Sequence, residues 1–265
     1  VTYPGDGVYK STDAGKTWRK MGLQATRQIG RIVIHPTNPD VVYVAAMGTL
    51  WVPGQERGVF KTIDGGRTWK KVLFINDQTG AIDLVINRKQ PDTLYAALYD
   101  VQRRPWKLLE NGVDSGIHKT TDGGKTWTKL AGGLPTTPQG RIGLDIYQKN
   151  PNILYAVTEN FGKRPPTEDE IARDRSRKIE PQPRNIGGEV FRTDDGGKTW
   201  RKMNAGTGDM SAKASFWSYS SAPMRNSPFA AGARVPSSQR WCSCTAMRAC
   251  AIARSSRSRS ASGSA

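Results

Sequence analysis

The residues able to do chemistry are gathered in three stretches of this 265-residue sequence: 45–57, 97–115 and 158–188. These hold Trp51, Asp100, Arg103, Arg104, Trp106, Glu110, Glu159 and Arg164. Trp offers a flat apolar face for stacking, Arg forks onto oxygen acceptors, and carboxylates accept hydroxyl or amide protons. The combination describes a platform for a glycan or a peptide. Trp51 and Trp106 serve equally well, on the sequence alone, as anchors that tie long loops to the body beneath. His35 and His118 stand without partner residues. No Ser/His/Asp, Cys/His or phosphate-loop pattern occurs, so no catalytic residue, metal site or cofactor is assigned.

A repeated octet has to position these stretches. It reads Ser/Thr-x-Asp-x-Gly-x-Thr-Trp and occurs four times, at 11–18, 62–69, 120–127 and 193–200. Its fixed members are Asp13, Gly15 and Trp18; Asp64, Gly66 and Trp69; Asp122, Gly124 and Trp127; Asp195, Gly197 and Trp200. β-type residues precede each copy, as in Gly7-Val8-Tyr9-Lys10, and both flanks alternate apolar and polar residues at the strand period. An Asp-x-Gly core suits a hairpin, because the carboxylate accepts N–H bonds within the turn and Gly tolerates positive φ. The Trp is expected to cover that hairpin. A calcium loop is excluded, since no alternating series of oxygen ligands follows the Asp. The octets are structural punctuation.

A second unit lies between octets: an apolar strand, a turn ending in Pro-Asp or Pro-Asn, and a strand carrying Tyr. It appears around Pro39-Asp40, Pro91-Asp92 and Pro151-Asn152. Four short antiparallel strands therefore recur every 51 (Asp13 to Asp64) to 73 residues (Asp122 to Asp195), the period of a propeller blade. The fold class is all-β, an incomplete β-propeller of four-stranded antiparallel blades. Residues 7–23 form half a blade, and 28–74, 80–131 and 140–203 form whole blades, so 1–206 is one partial propeller of about three and a half blades. The three chemistry-bearing stretches then join second to third strands, on the face opposite the octets, where insertions gather on a binding face. Asp83 takes the position of Arg31 in the preceding blade, which implies an ion pair between blades or a carboxylate lining the channel. Thr167-Glu168-Asp169-Glu170 is a capping box opening a short helix.

Formal charge is +17. Residues 207–265 hold eight Lys/Arg against one Asp, so they carry +7 of it. This Ser/Ala/Arg-rich segment has no strand period and is expected to be a disordered tail of low complexity, foreign or out of frame. An Arg-Ser arm for polyanions is its other reading. Lysines around the octets form a basic rim that serves solubility, and nucleic acid is not the expected partner. All three cysteines, Cys242, Cys244 and Cys250, lie in the tail, so disulfides do not hold the body together. No apolar run is long enough to cross a membrane. The sequence opens inside a repeat, so any export signal would lie upstream.

The octet is similar to the Asp-box, or bacterial neuraminidase repeat, of sialidases, xyloglucan-cleaving endoglucanases and sortilin ectodomains. Combined with His35-Pro36-Thr37-Asn38-Pro39-Asp40-Val41-Val42-Tyr43-Val44, it most resembles bacterial exported proteins with sortilin-type propellers, often labelled glycosyl hydrolases. The resemblance spans about residues 5–206 and implies an extracellular or periplasmic location. A sialidase requires an arginine triad and a Tyr/Glu pair, which are not assignable here. The xyloglucanase type sets its two carboxylates on separate propellers, and this chain holds part of one. The expected function is non-catalytic recognition of a peptide, protein or glycan by a fragment whose other partners are the remaining blades of its parent. Membership in a glycoside hydrolase acting on polysaccharide is the alternative.

Overall fold

The computed structural model describes residues 4–204 and 240–243. Three four-stranded antiparallel sheets follow one another as blades. The first holds β3 (Gln28–Ile34), β4 (Val42–Gly48), β5 (Gly58–Thr62) and β6 (Lys70–Leu73). The second holds β7 (Thr79–Ile86), β8 (Leu94–Asp100), β11 (Gly116–Thr120) and β12 (Thr128–Lys129), and its long connection folds into a hairpin of β9 (Gln102–Arg104) and β10 (Lys107–Leu109). The third holds β13 (Gln139–Ile146), β14 (Leu154–Arg164), β15 (Arg184–Thr193) and β16 (Arg201–Lys202), with helix α1 (Glu168–Ser176) between β14 and β15. Ahead of them β1 (Val8–Ser11) and β2 (Arg19–Lys20) form the part-blade. The chain is thus an all-β, incomplete propeller.

β17 (Arg240–Ser243) pairs antiparallel with β1, in the place β4 takes beside β5. For those four residues the expectation of a structureless tail gives way to a strand, because β1 has a free edge whose N–H and C=O groups take a ladder from almost any sequence. The rest of the tail reading lies outside the described residues.

The octets close into one hydrogen-bonded turn. In the second blade Thr120 Oγ1 donates to Asp122 Oδ1 (2.7 Å) and accepts from Gly124 N (3.0 Å). Asp122 also accepts from Thr126 N (3.0 Å) and Thr126 Oγ1 (2.6 Å). The same bonds recur around Asp13, Asp64 and Asp195. They hold all four carboxylates well below the usual range, Thr hydroxyl bonds being the largest cause. Two consecutive left-handed residues turn the chain, at φ 70° and 90° for Gly123 and Gly124. Ala14 takes the first of these positions at φ 61° in the part-blade.

The core lies between blades. Val42, Val44 and Ile29 pack with Val8; Tyr43, Ala45 and Val59 pack with Leu84, Leu94 and Leu98; Tyr95 and Ile117 pack with Ile142, Leu154 and Phe191. Both faces of β4 are consequently buried along its length. Gly30 is needed where β3 meets β7, since a Cβ there would lie 2.1 Å from Ile82 O. Arg31 Nε lies 3.3 Å from Asp83 Oδ1, and Asp83 Oδ2 accepts from Leu144 N (2.9 Å), so this carboxylate ties three blades together.

The box tryptophans do more than cover their own hairpins. Trp69 Nε1 donates to Met21 O of the part-blade (2.7 Å), Trp127 packs with Tyr43 and Val72, and Trp200 packs into the cluster of Tyr95 and Leu130. Each reaches back to the blade before it. That blade answers with a clasp on the box turn: Tyr43 Oη and Lys61 Nζ donate to Gly123 O (3.1 and 2.8 Å), while Tyr95 Oη and Lys119 Nζ donate to Gly196 O (3.0 and 2.7 Å).

His118 is buried on β11 with Nδ1 unpartnered, and burial, then Lys129, pushes it down to about 4. Its ordinary value is 6.5, so on acidification the unfolded chain takes the proton first. Stability should therefore fall between about pH 6.5 and about 4, by about 2–3 kcal/mol in all. His118→Gln is expected to flatten that part of the denaturation-midpoint profile; an unchanged slope would place its origin elsewhere.

Candidate functional site

The second-to-third-strand connections and the blade-to-blade connections share the end of the strands opposite the box turns. Backbone ladders prolong β14 to Arg164 and start β15 at Arg184, so the connections proper are 49–57, 101–115 and 165–183, shorter than the sequence implies.

Two of them meet. Arg103 N, on β9, donates to Leu50 O (2.7 Å), which sets the loop carrying Trp51 against the hairpin whose turn carries Trp106. Trp106 is 79% exposed and Trp51 52%, so neither serves as a buried anchor. Arg104 is exposed and donates to Gln102 Oε1 (3.1 Å), while Arg103 is half-buried. Arg57, which sequence reasoning missed, fixes this rim from below. It is fully buried and donates to the carbonyls of Gln78 (2.5 Å), Thr49 (2.7 Å), Val101 (3.1 Å) and Val52 (3.5 Å). One guanidinium thereby bolts the first blade's loop to the second blade.

Asp100 lies at the end of β8, off the exposed rim. Thr79 Oγ1 donates to its Oδ1 (3.4 Å), its backbone N–H donates to Ser115 Oγ (2.9 Å), and a Cβ at Gly112 would collide with its Oδ2. Burial, then Asp114, raises its carboxyl. Arg164 is taken by Glu170 in a two-pronged pair (2.8 and 2.9 Å), and Glu170 also closes the helix cap by accepting from Thr167 N (2.8 Å).

A second cluster sits where the second and third blades join, through paired bonds between Gly112 and Gln139 (3.2 Å each way). Glu159 on β14 is half-buried there, and Gly140 leaves it room: a Cβ would come within 2.9 Å of Glu159 Oε2 and 3.0 Å of Glu110 O. Burial, then the Glu110 carboxylate, pushes Glu159 up to about 7. Burial raises Glu110 as well, against the pull of Arg103. The buried Tyr99 hydroxyl has no partner, and its acidity is reduced by burial, then by Glu110 and Glu159. Arg141 contributes a positive charge nearby. Tyr99 and Arg141 lie on strands whose pattern speaks only of core and period, which hides them in the sequence. Glu159, pushed up to about 7, is therefore partly protonated at neutral pH, in a cluster that also holds the unpartnered Tyr99 hydroxyl. Among the described residues no set of three His, Cys, Asp or Glu gathers to hold a metal, and no helix is long and apolar enough to cross a membrane.

Glu159 also gives a stability signature. Its folded value exceeds the ordinary 4.5, so the unfolded chain ionises first as pH rises, and stability should decline from about pH 4.5 to about 7. Allowing for partial solvent access, Glu159→Gln is expected to gain about 1–2 kcal/mol at pH 8 and nothing at pH 4. Equal effects at both pH values would contradict the shift.

The family model Sortilin-Vps10 (sortilin, neurotensin receptor 3) matches residues 6–170, and the BNR/Asp-box repeat matches 191–202. An oligoxyloglucan-reducing end-specific xyloglucanase of Emericella nidulans is 26% identical over 239 residues, 73% of this chain and 27% of that protein. A probable enzyme of the same description from Neosartorya fischeri is 27% identical over 133 residues, 48% of this chain and 15% of that one. Among solved structures, the GH74 enzyme of Niastella koreensis has a TM-score of 0.53 at 21% identity, over 75% of this chain and 26% of its own. The GH74 xyloglucanase of Xanthomonas campestris has a TM-score of 0.53 at 17% identity, over 77% and 28%. These likenesses in structure show the fold. The chain spans 27% and 15% of the curated relatives it matches.

Proposed function

The chain belongs to the Sortilin-Vps10 family, matched over residues 6–170, and from that premise we propose that it is a recognition unit binding a glycan on its long-loop face. The carrying observation is the pair of exposed tryptophans, Trp51 and Trp106, brought onto one rim by the bond from Arg103 N to Leu50 O. Aromatic faces beside Arg103 and Arg104 suit pyranose rings, which stack through C–H faces and bond through hydroxyls. The relatives named as xyloglucanases make a xyloglucan-type oligosaccharide the first ligand to try. A peptide fits the same surface chemistry less closely, having fewer flat faces to stack. A polysaccharide ligand puts the work outside the cytoplasm. The recognition unit is residues 1–206, a portion of a longer propeller.

The alternative, membership in a glycoside hydrolase, draws on Glu159 and Glu110. A carboxyl protonated near neutral pH beside a second carboxyl is the starting state of a general acid. Titration calorimetry with xyloglucan oligosaccharides, run alongside an assay for new reducing ends, tests the two together. Heat of binding without new reducing ends supports recognition. Release of reducing ends that disappears in Glu159→Gln supports the alternative, and neither signal contradicts both.

A further inference from the structure

The joint between the first and second blades opens at the box end into a cleft of about 490 Å³. Its walls are β5 and β6 on one side and the second blade's box turn on the other, so that Lys61, Thr68, Trp69, Lys70, Val72 and Lys125 face it. The joint between the second and third blades repeats the cleft with Lys119, Thr126, Thr128, Leu130 and Lys198, at about 230 Å³. Both walls of the larger cleft belong to complete blades of this chain. Further blades of the parent would add at the ends of the arc and leave this joint as it is.

The two clefts differ in what they present. Ile63, 69% exposed, lines the first, whereas the same octet position is Thr12, Thr121 or Asp194 in the other copies. Lys70 stands where the second cleft has Thr128. Burial, then Lys125 and Lys70, pull Lys61 down against the opposing charges of Asp92 and Asp122, so three ammonium groups converge here. Lys61 is spent on Gly123 O, Lys71 on Gln55 O, and Asp122 on its own box. Lys70 and Lys125 are exposed, and neither ammonium is held by a hydrogen bond or an ion pair. They remain for a ligand, over an apolar floor of Ile63, Trp69 and Val72.

Free cations beside branched aliphatic side chains suit an acidic peptide. A uronate chain would use Trp69 and the lysines but leave Ile63 idle, since sugars stack on flat faces. Duplex nucleic acid carries a charge about every 1.7 Å and would meet the ionised Asp64 and Asp122 beside the cleft. We propose that this cleft docks a short acidic peptide segment of a partner protein, with an aliphatic side chain against Ile63, Trp69 and Val72 and flanking carboxylates on Lys70 and Lys125. It stands at the opposite end of the strands from the rim of Trp51 and Trp106, so both sites can be filled at once.

Fluorescence anisotropy of a labelled Glu-Asp-Leu-Asp-Glu peptide, titrated with the full chain at low salt, tests this. Saturable one-to-one binding is expected, weakened about 10-fold when Ser replaces the Leu, as withdrawal of a buried Leu side chain implies. Ile63→Thr and Lys70→Thr install what the second cleft carries at equivalent positions, and both side chains are exposed, so thermal midpoints should not move. Together they should cost at least about 10-fold in affinity, the aliphatic contact contributing more than the surface charge. Either single variant suffices if the double variant melts early. Trp106→Ala should leave peptide affinity unchanged, which separates this site from the glycan rim. Peptide binding that survives the double variant would belong to the basic residues 207–265 and overturn the proposal. So would absence of saturable binding, equal affinity for the Ser peptide, or tighter binding of polygalacturonate or single-stranded DNA.

Discussion

Arg57→Ala is expected to lose about 3–5 kcal/mol of stability, the upper range for a single substitution, because it orphans buried acceptors and opens a cavity together. Arg57 is fully buried and serves the carbonyls of Thr49, Gln78 and Val101 within 3.1 Å. Water cannot replace it without entering the joint between the first two blades. The damage should be local first. Residues 49–57 and 77–78 should gain hydrogen exchange and protease sensitivity before the box turns do. Arg57→Lys keeps the charge but cannot reach acceptors on both blades, so it should recover less than half of the loss. Denaturant midpoints for the three proteins check the ranking. A wild-type-like midpoint for Arg57→Ala would show that the loop is held by other contacts.

The second large effect concerns binding. Trp106→Ala, at the tip of the β9–β10 turn, removes the most exposed large apolar side chain among those described. If sugar rings stack there, affinity for a xyloglucan oligosaccharide should drop about 10- to 100-fold, the cost of losing a Trp hot spot. Trp51→Ala should cost less, since Trp51 is more enclosed, and the double variant should lose measurable binding. Both positions are exposed, so stability should change by under about 0.5 kcal/mol. Calorimetric titrations measure the first quantity and thermal midpoints the second. Loss of binding accompanied by loss of stability would point to a structural role.

The repeat made the architecture legible. Four octets with strand-like flanks fix the turn, the blade period and the face on which insertions emerge, because each signal is local and is stated several times. The capping box at Thr167 and the tie between Arg31 and Asp83 could be read for similar reasons, one from spacing and one from equivalent positions in successive blades. What stayed hidden depends on neighbours far apart in the chain. Arg57 precedes a strand just as Ser115 does, and nothing local says that its guanidinium spans two blades. The destination of each box Trp is a property of the preceding blade, so the octet alone suggested a hairpin cover. Tyr99 reads as a core aromatic on an apolar strand, and only the packing of β8 against β13 shows that its hydroxyl has no partner. Asp100 looked like a rim residue until the closeness of Gly112 turned it inward. The edge strand β17 carries no periodicity, since pairing with β1 is a matter of backbone rather than side chains.

Hydrogen exchange followed by mass spectrometry, with and without a saturating xyloglucan oligosaccharide, bears most directly on where this chain does its work. Protection should appear in 49–57 and 102–112, with the box turns 62–69, 120–127 and 193–200 unchanged. Protection confined to those box turns, or to the channel strands β3, β7 and β13, would contradict binding on the long-loop face.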